Sequence, residues 1–460
     1  MDKAAIERVL TSLEAPMLET LRTLVRIPSV KEAGVEGAPF GRPARQALDT
    51  ALSICEGLGF ACVNADGYAG HADLGEGPDE DALAILGHLD VVPIGDNWTV
   101  EPFGAEIRGD RMYGRGTSDD KGPVVAAMYA MAAVRQLGVP LKRKVRLIMG
   151  TDEESGWEDI AYYKTRYPLP RSGFSPDAEF PVINIEKGHM NLELTGKPAK
   201  DGLQVLRFDT GDRPNVVPGR AEALVLGDGE LADRVNRTDY GFPVSAECVP
   251  QGVVIRTEGV PGHAAMPEHT RNAIGQMLLV LRSLGVRGAL RTLADAVGTE
   301  YDGASLGIAI TDRISGPLTC NLGIIRADGE HVRAVLDLRC PILSDMGALR
   351  AQAQNALPGL KVSVLSLTAP HYVSAGTELV RSLLAAYEEV TGEKGYTVAI
   401  GGGTYAKCLE EGVAFGSLFP GEQEMAHQAD EYVSLESLKK NLRIFTYAIL
   451  KLAADKKEAE

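Results

Sequence analysis

The sequence predicts an α/β fold: a discontinuous α/β domain whose central sheet is flanked by helices, interrupted by an inserted α+β domain. Three observations carry this expectation. Up to about residue 186, short apolar runs that fit buried strands alternate with helix-periodic stretches, the pattern of a sheet covered by helices. The pattern then changes to strand, helix, strand, strand, helix, strand, the βαββαβ order of a ferredoxin-like unit. From about residue 376, α/β character returns. The expected segments are therefore 1–186 and 376–460 for the first domain and 187–375 for the insertion.

In chain order, residues 2–25 place Ile6, Val9, Leu10, Leu13, Met17, Leu18, Leu21 and Leu24 on one helical stripe, broken by Ile27-Pro28-Ser29-Val30. A second helix is expected from Arg42 to Leu58, stopping at Gly59. The apolar run Ala82 to Leu86 then reads as a buried strand that ends in Gly87-His88-Leu89-Asp90. Residues two apart on a strand face the same side, so His88 and Asp90 point together off its end. A carboxylate so placed can accept the second ring N–H of a histidine and fix its tautomer for metal binding, although a core His–Asp pair has the same sequence. Trp98 and Phe103, in the loop region between Ile94 and Gly116, read as packing residues.

Gly116-Thr117-Ser118-Asp119-Asp120-Lys121-Gly122 opens a helix expected from Pro123 to Leu137, apolar nearly all round and therefore buried. Acids at its mouth suit helix capping as well as a site. The strand Lys144 to Met149 empties into Gly150-Thr151-Asp152-Glu153-Glu154-Ser155-Gly156, three consecutive acids that repel one another unless a cation lies among them. Ser175-Pro176-Asp177-Ala178-Glu179-Phe180-Pro181 and the strand Val182 to Ile185 follow. Ligands of open α/β sheets gather beyond the carboxyl ends of the strands, where His88, Asp90, Glu153 and Glu154 fall.

In the insertion the expected order is strand Val253–Val260, helix Ala273–Leu284, strands Asn321–Ala327 and His331–Arg339, helix Met346–Leu357 and strand Lys361–Thr368. Leu192–Leu194, Val205–Phe208 and Ala223–Leu226 add strand-like runs, an incomplete second unit. The region from Thr377 to Lys456 returns to helix and strand.

Bulk properties narrow the function. At 460 residues, 45% apolar and 24% charged, the chain has the make-up of a two-domain globular protein. Its 47 basic and 63 acidic residues give a net charge of −16, which argues against nucleic acid as a partner. Six scattered cysteines with no CxxC pair read as reduced thiols of a cytoplasmic protein. The N-terminus carries acids where a signal peptide needs a basic and then an apolar run, and no stretch of about 18 apolar residues predicts a membrane span.

The candidates collected are His88, Asp90, Asp119, Glu153, Glu154, Asp177 and His427: two histidines and several carboxylates with no thiolate, a set that suits zinc, manganese or cobalt. His88-Leu89-Asp90-Val91-Val92-Pro93, Gly114-Arg115-Gly116-Thr117-Ser118-Asp119-Asp120-Lys121-Gly122 and Asp152-Glu153-Glu154-Ser155-Gly156 together resemble the M20 family of zinc peptidases, which also holds aminoacylases and succinyl-diaminopimelate desuccinylases. Ser175 to Pro181 and Gly401-Gly402-Gly403-Thr404-Tyr405-Ala406-Lys407 are similar to its bacterial PepV dipeptidase branch.

That resemblance implies a catalytic domain with a lid insertion and two Zn2+ per chain, with Mn2+ or Co2+ as substitutes. Asp119 would bridge the ions, His88 and Asp177 would complete one, and Glu154 and His427 the other. Asp90 would orient His88, Glu153 would be the general base, and the Asp119–Asp120 peptide would be cis. His263 would donate to the tetrahedral oxyanion, with His269 as the nearby competitor. Arg339 at the end of a strand, with Gly402, Gly403 and Thr404, suits a substrate carboxylate, and the resemblance adds Asn215. The expected activity is hydrolysis of unblocked dipeptides by a chain that works as a monomer. A deacylase or carboxypeptidase acting on N-acyl amino acids, or a non-catalytic metal-binding homologue, is the alternative.

Overall fold

The computed structural model describes residues 2–455; Met1 and residues 456–460, which include the expected helical end at Lys456, lie outside the described residues. The chain divides into two compact units. One holds the described residues up to Asn184, Val373–Val398 and those from Gly403 onward; the other holds Ile185–Tyr372 and Ala399–Gly402.

The sheet of the first unit runs in the order Ala61–Ala65, Ala69–Leu74, Val145–Gly150, Leu83–His88, Ser172–Ser175, Glu411–Ala414 and Val182–Glu186. Val145–Gly150, Leu83–His88, Ser172–Ser175 and Glu411–Ala414 run parallel to one another, and Ala69–Leu74 and Val182–Glu186 flank them antiparallel. Every residue of Leu83–His88 and Val145–Gly150 is buried, as expected of parallel strands covered on both faces. His88 is in register with Gly150. Because parallel strands finish at the same edge, His88, the acids after Gly150 and Asp177 after Ser175 all emerge there.

The helix Lys3–Val25 buries Ile6, Leu10, Leu13, Met17, Leu21 and Leu24, the expected stripe, with Val9 and Leu18 at its half-buried margin. Asp2 caps it by accepting the Ala4 N–H at 3.0 Å. The helix Lys121–Gln136 is buried continuously from Lys121 to Val134 and packs against Lys3–Val25 and Leu435–Ala453. It starts earlier than the sequence expects, with Pro123 inside its first turn. Truncating a side chain such as Leu21 in this core would cost about 2–5 kcal/mol.

The second unit is built on an antiparallel sheet in the order Val244–Val249, Gly252–Glu258, Arg220–Val225, Val205–Thr210, Thr319–Asp328, Val332–Cys340, Gly188–Gly196 and Leu360–Thr368. Met190, Leu192 and Leu194 alternate onto one face and share a core with Leu336 and Leu338, with Met277 and Leu281 of the helix Ala273–Ser283, and with Leu293 and Leu349 of the helices Ala289–Ala296 and Met346–Ala356. Strands and helices from Gly252 to Thr368 follow the expected chain order, with Ala289–Ala296 as an additional helix.

Their arrangement differs from a unit that opens at Val253. Gly188–Gly196 lies between Val332–Cys340 and Leu360–Thr368, while Gly252–Glu258 is separated from Thr319–Asp328 by two strands. Only Leu192–Leu194 of that central strand is legible as a strand in the sequence. Its buried Met190, Leu192 and Leu194 alternate with half-buried Asn191, Glu193 and Thr195, but the glycines at both ends weaken the strand signal of the stretch.

Candidate metal centre

His88 is the last residue of its strand and is fully buried. Its Nδ1 lies 3.1 Å from the Asp90 carbonyl oxygen and 3.4 Å from Asp90 Oδ1. With Nδ1–H donated to that carbonyl, the Nε2 lone pair is left for a metal. Nε2 sits 3.0 Å from Asp119 Oδ1 and 3.7 Å from Asp177 Oδ2. The Asp90 carboxylate also holds the neighbouring turn: Oδ1 and Oδ2 accept the N–H groups of Glu153 at 3.2 Å and Glu154 at 3.1 Å. It thereby fixes the backbone that carries both acids.

Asp119 stands at the mouth of the buried helix, and the Asp119–Asp120 peptide is cis, as the resemblance implies. Its other oxygen, Oδ2, is 3.0 Å from Nε2 of His427, and that nitrogen is 2.9 Å from Glu154 Oε1. His427 comes from a turn in which it and Asp430 adopt φ of 63° and 57°, a left-handed conformation uncommon outside glycine. Single donor atoms of His88, Asp119 and Glu154 fall within 4.8 Å of one another, as do those of His88, Glu153 and Asp177. The structure thus brings His88, Asp119, Glu154, Asp177 and His427 together with Glu153, and sets Asp90 behind them.

The electrostatics of the cluster favour a cation. Burial, with the charge of Asp119 beside it, raises the Asp177 carboxyl to about 7. Burial drives Glu153 well above the usual carboxylate range; the His88 charge opposes it, and the Asp177, Glu154 and Asp119 charges add to it. Glu154 is raised by burial and by Asp119. Burial pushes Asp119 upward too, but hydrogen bonds from His427 and His88 hold it below its ordinary value. Hydrogen bonds to Asp119 and Glu154 push His427 up to about 10. Two imidazoles and four carboxylates, crowded and short of positive charge, fit zinc, manganese or cobalt by donor type.

Several supporting residues are not singled out by the sequence. Glu431 accepts the N–H groups of Gly116, Ser118 and Asp119 and pairs with Arg115. Asp159 accepts the N–H groups of Thr151 and Asp152 and the hydroxyl of Tyr405, whose ring stands edge-on to His88. Lys31 donates to Asp152 at 2.6 Å. Glu431 follows His427 by four residues, and that proximity is the one available signal.

The remaining predicted residues divide between the two units. In the second unit, Val216 pairs with His263, Val217 with Gly262, and the Asn215 carbonyl accepts the Ala264 N–H at 2.9 Å, so Asn215 and His263 are neighbours. His263 is exposed, and its Nδ1 accepts the Ala265 N–H at 3.2 Å. His269 ends the short helix Pro267–His269. Arg339 donates from Nε and Nη2 to the two oxygens of Asp337, at 2.7 and 3.0 Å, and from Nη1 to the Gly401 carbonyl at 2.7 Å. Gly402 belongs to the second unit, and Gly403 and Thr404 to the first. Thr404 is buried and caps the short helix Tyr405–Cys408 by accepting the Ala406 N–H.

Comparison with known proteins gives the family of the chain. The profile of Peptidase family M20/M25/M40 matches residues 84–451. The Bacillus subtilis (strain 168) protein named "Putative dipeptidase YtjP" is 36% identical over 455 residues, covering 95% of this chain and 97% of the relative. Among solved structures, the di-peptidase Dug1p from Saccharomyces cerevisiae is similar with a TM-score of 0.60 at 12% identity, covering 99% of both chains. Human carnosine dipeptidase 1 gives 0.59 at 14% identity, covering 98% of this chain and 99% of its own. At such identities the two structures speak to the fold, and both are consistent with a catalytic domain accompanied by a lid domain. No described helix is long and apolar enough to cross a membrane. The profile and the relative each span most of the sequence, and they show that the chain belongs to peptidase family M20/M25/M40 and is a hydrolase of peptide bonds.

Proposed function

We propose that this chain is a di-zinc dipeptidase that cleaves unblocked dipeptides. The observation that carries the reading is Asp119, whose two carboxylate oxygens each lie 3.0 Å from Nε2 of a different histidine, His88 and His427. A carboxylate so disposed suits a bridge between two ions, one completed by His88 and Asp177, the other by Glu154 and His427. Mn2+ or Co2+ would serve the same donors.

Two such ions, when bound, would polarise the scissile carbonyl and acidify the attacking water. Glu153 takes the water proton at a carboxylate oxygen and returns it to the leaving amine. The burial that raises its proton affinity, and the grip of Asp90 on its N–H, both support that role. Because His263 Nδ1 accepts an N–H, its neutral ring carries the proton on Nε2, and that N–H is assigned to the oxyanion. Arg339, Gly402, Gly403, Thr404 and Asn215 are assigned to the substrate's carboxylate end and backbone. Free thiols at all six cysteines support a cytoplasmic setting, and an insertion long enough for nearly two lid units supports a monomer.

The test is a panel of dipeptides, tripeptides and N-acyl amino acids given to the zinc-loaded protein. Dipeptides should exceed the other classes in kcat/KM by about tenfold or more. A preference for N-acyl amino acids would replace the dipeptidase reading with a deacylase, and a dimeric mass by light scattering would remove the monomer.

A further inference from the structure

Glu431 and Arg115 form an ion pair sealed from water, at 0% and 1% exposure, with Arg115 Nη1 donating to Glu431 Oε2 at 2.6 Å. The other oxygen, Oε1, accepts three backbone N–H groups, from Gly116 at 3.0 Å, Ser118 at 2.9 Å and Asp119 at 3.3 Å. The Glu431 carbonyl accepts a fourth, from Gly114 at 2.8 Å. All these bonds fall on one loop, which ends at the carboxylate facing both histidines. Glu431 is also tied by four residues of chain to His427, in a turn that Asp430 anchors on its other side by accepting the N–H and hydroxyl of Thr99, both at 2.7 Å.

A buried ion pair is a poor device for stability alone, because removing both charges from water offsets their attraction; its better-attested use is to fix one arrangement against others. We infer that Glu431 is a positioning residue of the metal centre: its carboxylate, neutralised by Arg115, holds the Asp119 loop and the His427 turn at the separation that puts one Asp119 oxygen on each histidine. This rests on the reading of Asp119 and His427 as metal ligands. The two ions would not depend on Glu431 equally. His88 and Asp177 are delivered by the strands Leu83–His88 and Ser172–Ser175, to which Glu431 makes no hydrogen bond among those described. His427 and Asp119 are delivered by the two segments it joins. Loss of Glu431 displaces His427 as well as the shared Asp119, so it weakens the ion held by Glu154 and His427 more than the other, which keeps His88 and Asp177 in place.

The experiment titrates metal-free protein with Zn2+ by calorimetry and with Co2+ by visible absorption, for wild type and Glu431→Gln. Wild type should take up two ions. Glu431→Gln should take up the first with a loss of affinity of no more than about threefold and the second about 10–100-fold more weakly, with an altered cobalt spectrum. Glu431→Gln leaves the Arg115 guanidinium without its partner, so Arg115→Met/Glu431→Gln is measured beside it. The double variant removes both charges and should show the same second-ion defect with a native circular dichroism spectrum. A folded variant that binds both ions with wild-type affinity and spectrum overturns the inference. Failure of both variants to fold overturns it too, since the pair would then serve the fold. Wild type that binds fewer than two ions, or an Asp119→Asn control that still binds two normally, would instead sink the reading on which the inference rests.

Discussion

The acid cluster of the first unit and the buried network of the second treat charge in opposite ways. In the first, the carboxylates of Asp119, Glu153, Glu154 and Asp177 crowd round two imidazoles, and burial among like charges raises Asp177, Glu153 and Glu154. In the second, Asp337 is also buried yet is held below its ordinary value, because His189 and Arg339 outweigh the effect of burial. Asn272 and Asn321 there likewise satisfy each other and nearby carbonyls. A buried network in charge balance is framework, whereas one out of balance marks the place for a cation.

The sharpest way to break this contrast is Asp119→Ala. If the first cluster is a cation cage, removing the shared carboxylate should abolish tight binding of the pair and lower kcat by on the order of 10⁴-fold or more, beyond what a general base alone supplies. Metal content by mass spectrometry and turnover on a dipeptide check both. Normal metal content would return the cluster to framework status.

Glu153→Ala comes next, and it separates two uses of one acid. The Glu153 carboxylate lies close enough to His88 and Asp177 to serve as a donor, yet it is assigned as the base. The expected outcome is a fall in kcat of about 10²–10⁴-fold with two ions retained. Loss of an ion along with activity would make Glu153 a ligand and refute the assigned role.

What the sequence makes legible follows the same division. His88, Asp119 and the Asp152-Glu153-Glu154 run stand at the ends of strongly periodic segments, so their convergence at one sheet edge can be argued from strand and helix patterns alone. His427 cannot, because its turn has no periodicity and only the family resemblance singles it out. Glu431 escapes notice because its partners are backbone amides more than 300 residues away, which leave no mark in local pattern. In the second unit the short helices Gly229–Arg237 and Ala289–Ala296 escape too, since so few turns give little periodic signal. The Asp337–Arg339 pair is within reach, as residues two apart on one strand face.

Burial outside the site gives a milder test. His71 is 3% exposed on Ala69–Leu74, and its Nδ1 lies within hydrogen-bond distance of the Tyr163 hydroxyl, at 2.8 Å. Burial first, then the Arg146 charge, lowers its pKa to about 4; Asp73 and Asp79 oppose this, and Lys144 adds to it. A base whose folded pKa lies below its unfolded value stabilises the fold above the unfolded pKa. That stability is lost as pH falls from about 6.5 through about 4, to a total of about 3 kcal/mol. Asp177, Glu153 and Glu154, held high, stabilise the metal-free fold over the same range, so the slope should appear in urea unfolding between pH 7 and pH 4 as the difference between wild type and His71→Gln. An unchanged slope in the variant would assign the acid sensitivity to carboxylates held below their ordinary values, such as Asp119 and Asp337, because the raised acids gain stability as pH falls.

Arg339 is where the contrast can be sharpened most finely, since it is a framework residue by its contacts and a substrate residue by assignment. Three of its five N–H donors are committed to Asp337 and the Gly401 carbonyl, which leaves one N–H on each terminal nitrogen for a ligand. Arg339→Lys keeps the charge beside Asp337 and gives up the planar fork. If the outward N–H groups hold the dipeptide carboxylate, KM should rise about tenfold, roughly 1.4 kcal/mol, with kcat little changed. If Arg339 is framework alone, unfolding should shift to lower urea while KM stays constant. Measuring both on the same preparation decides whether the balanced unit contributes to recognition or only to shape.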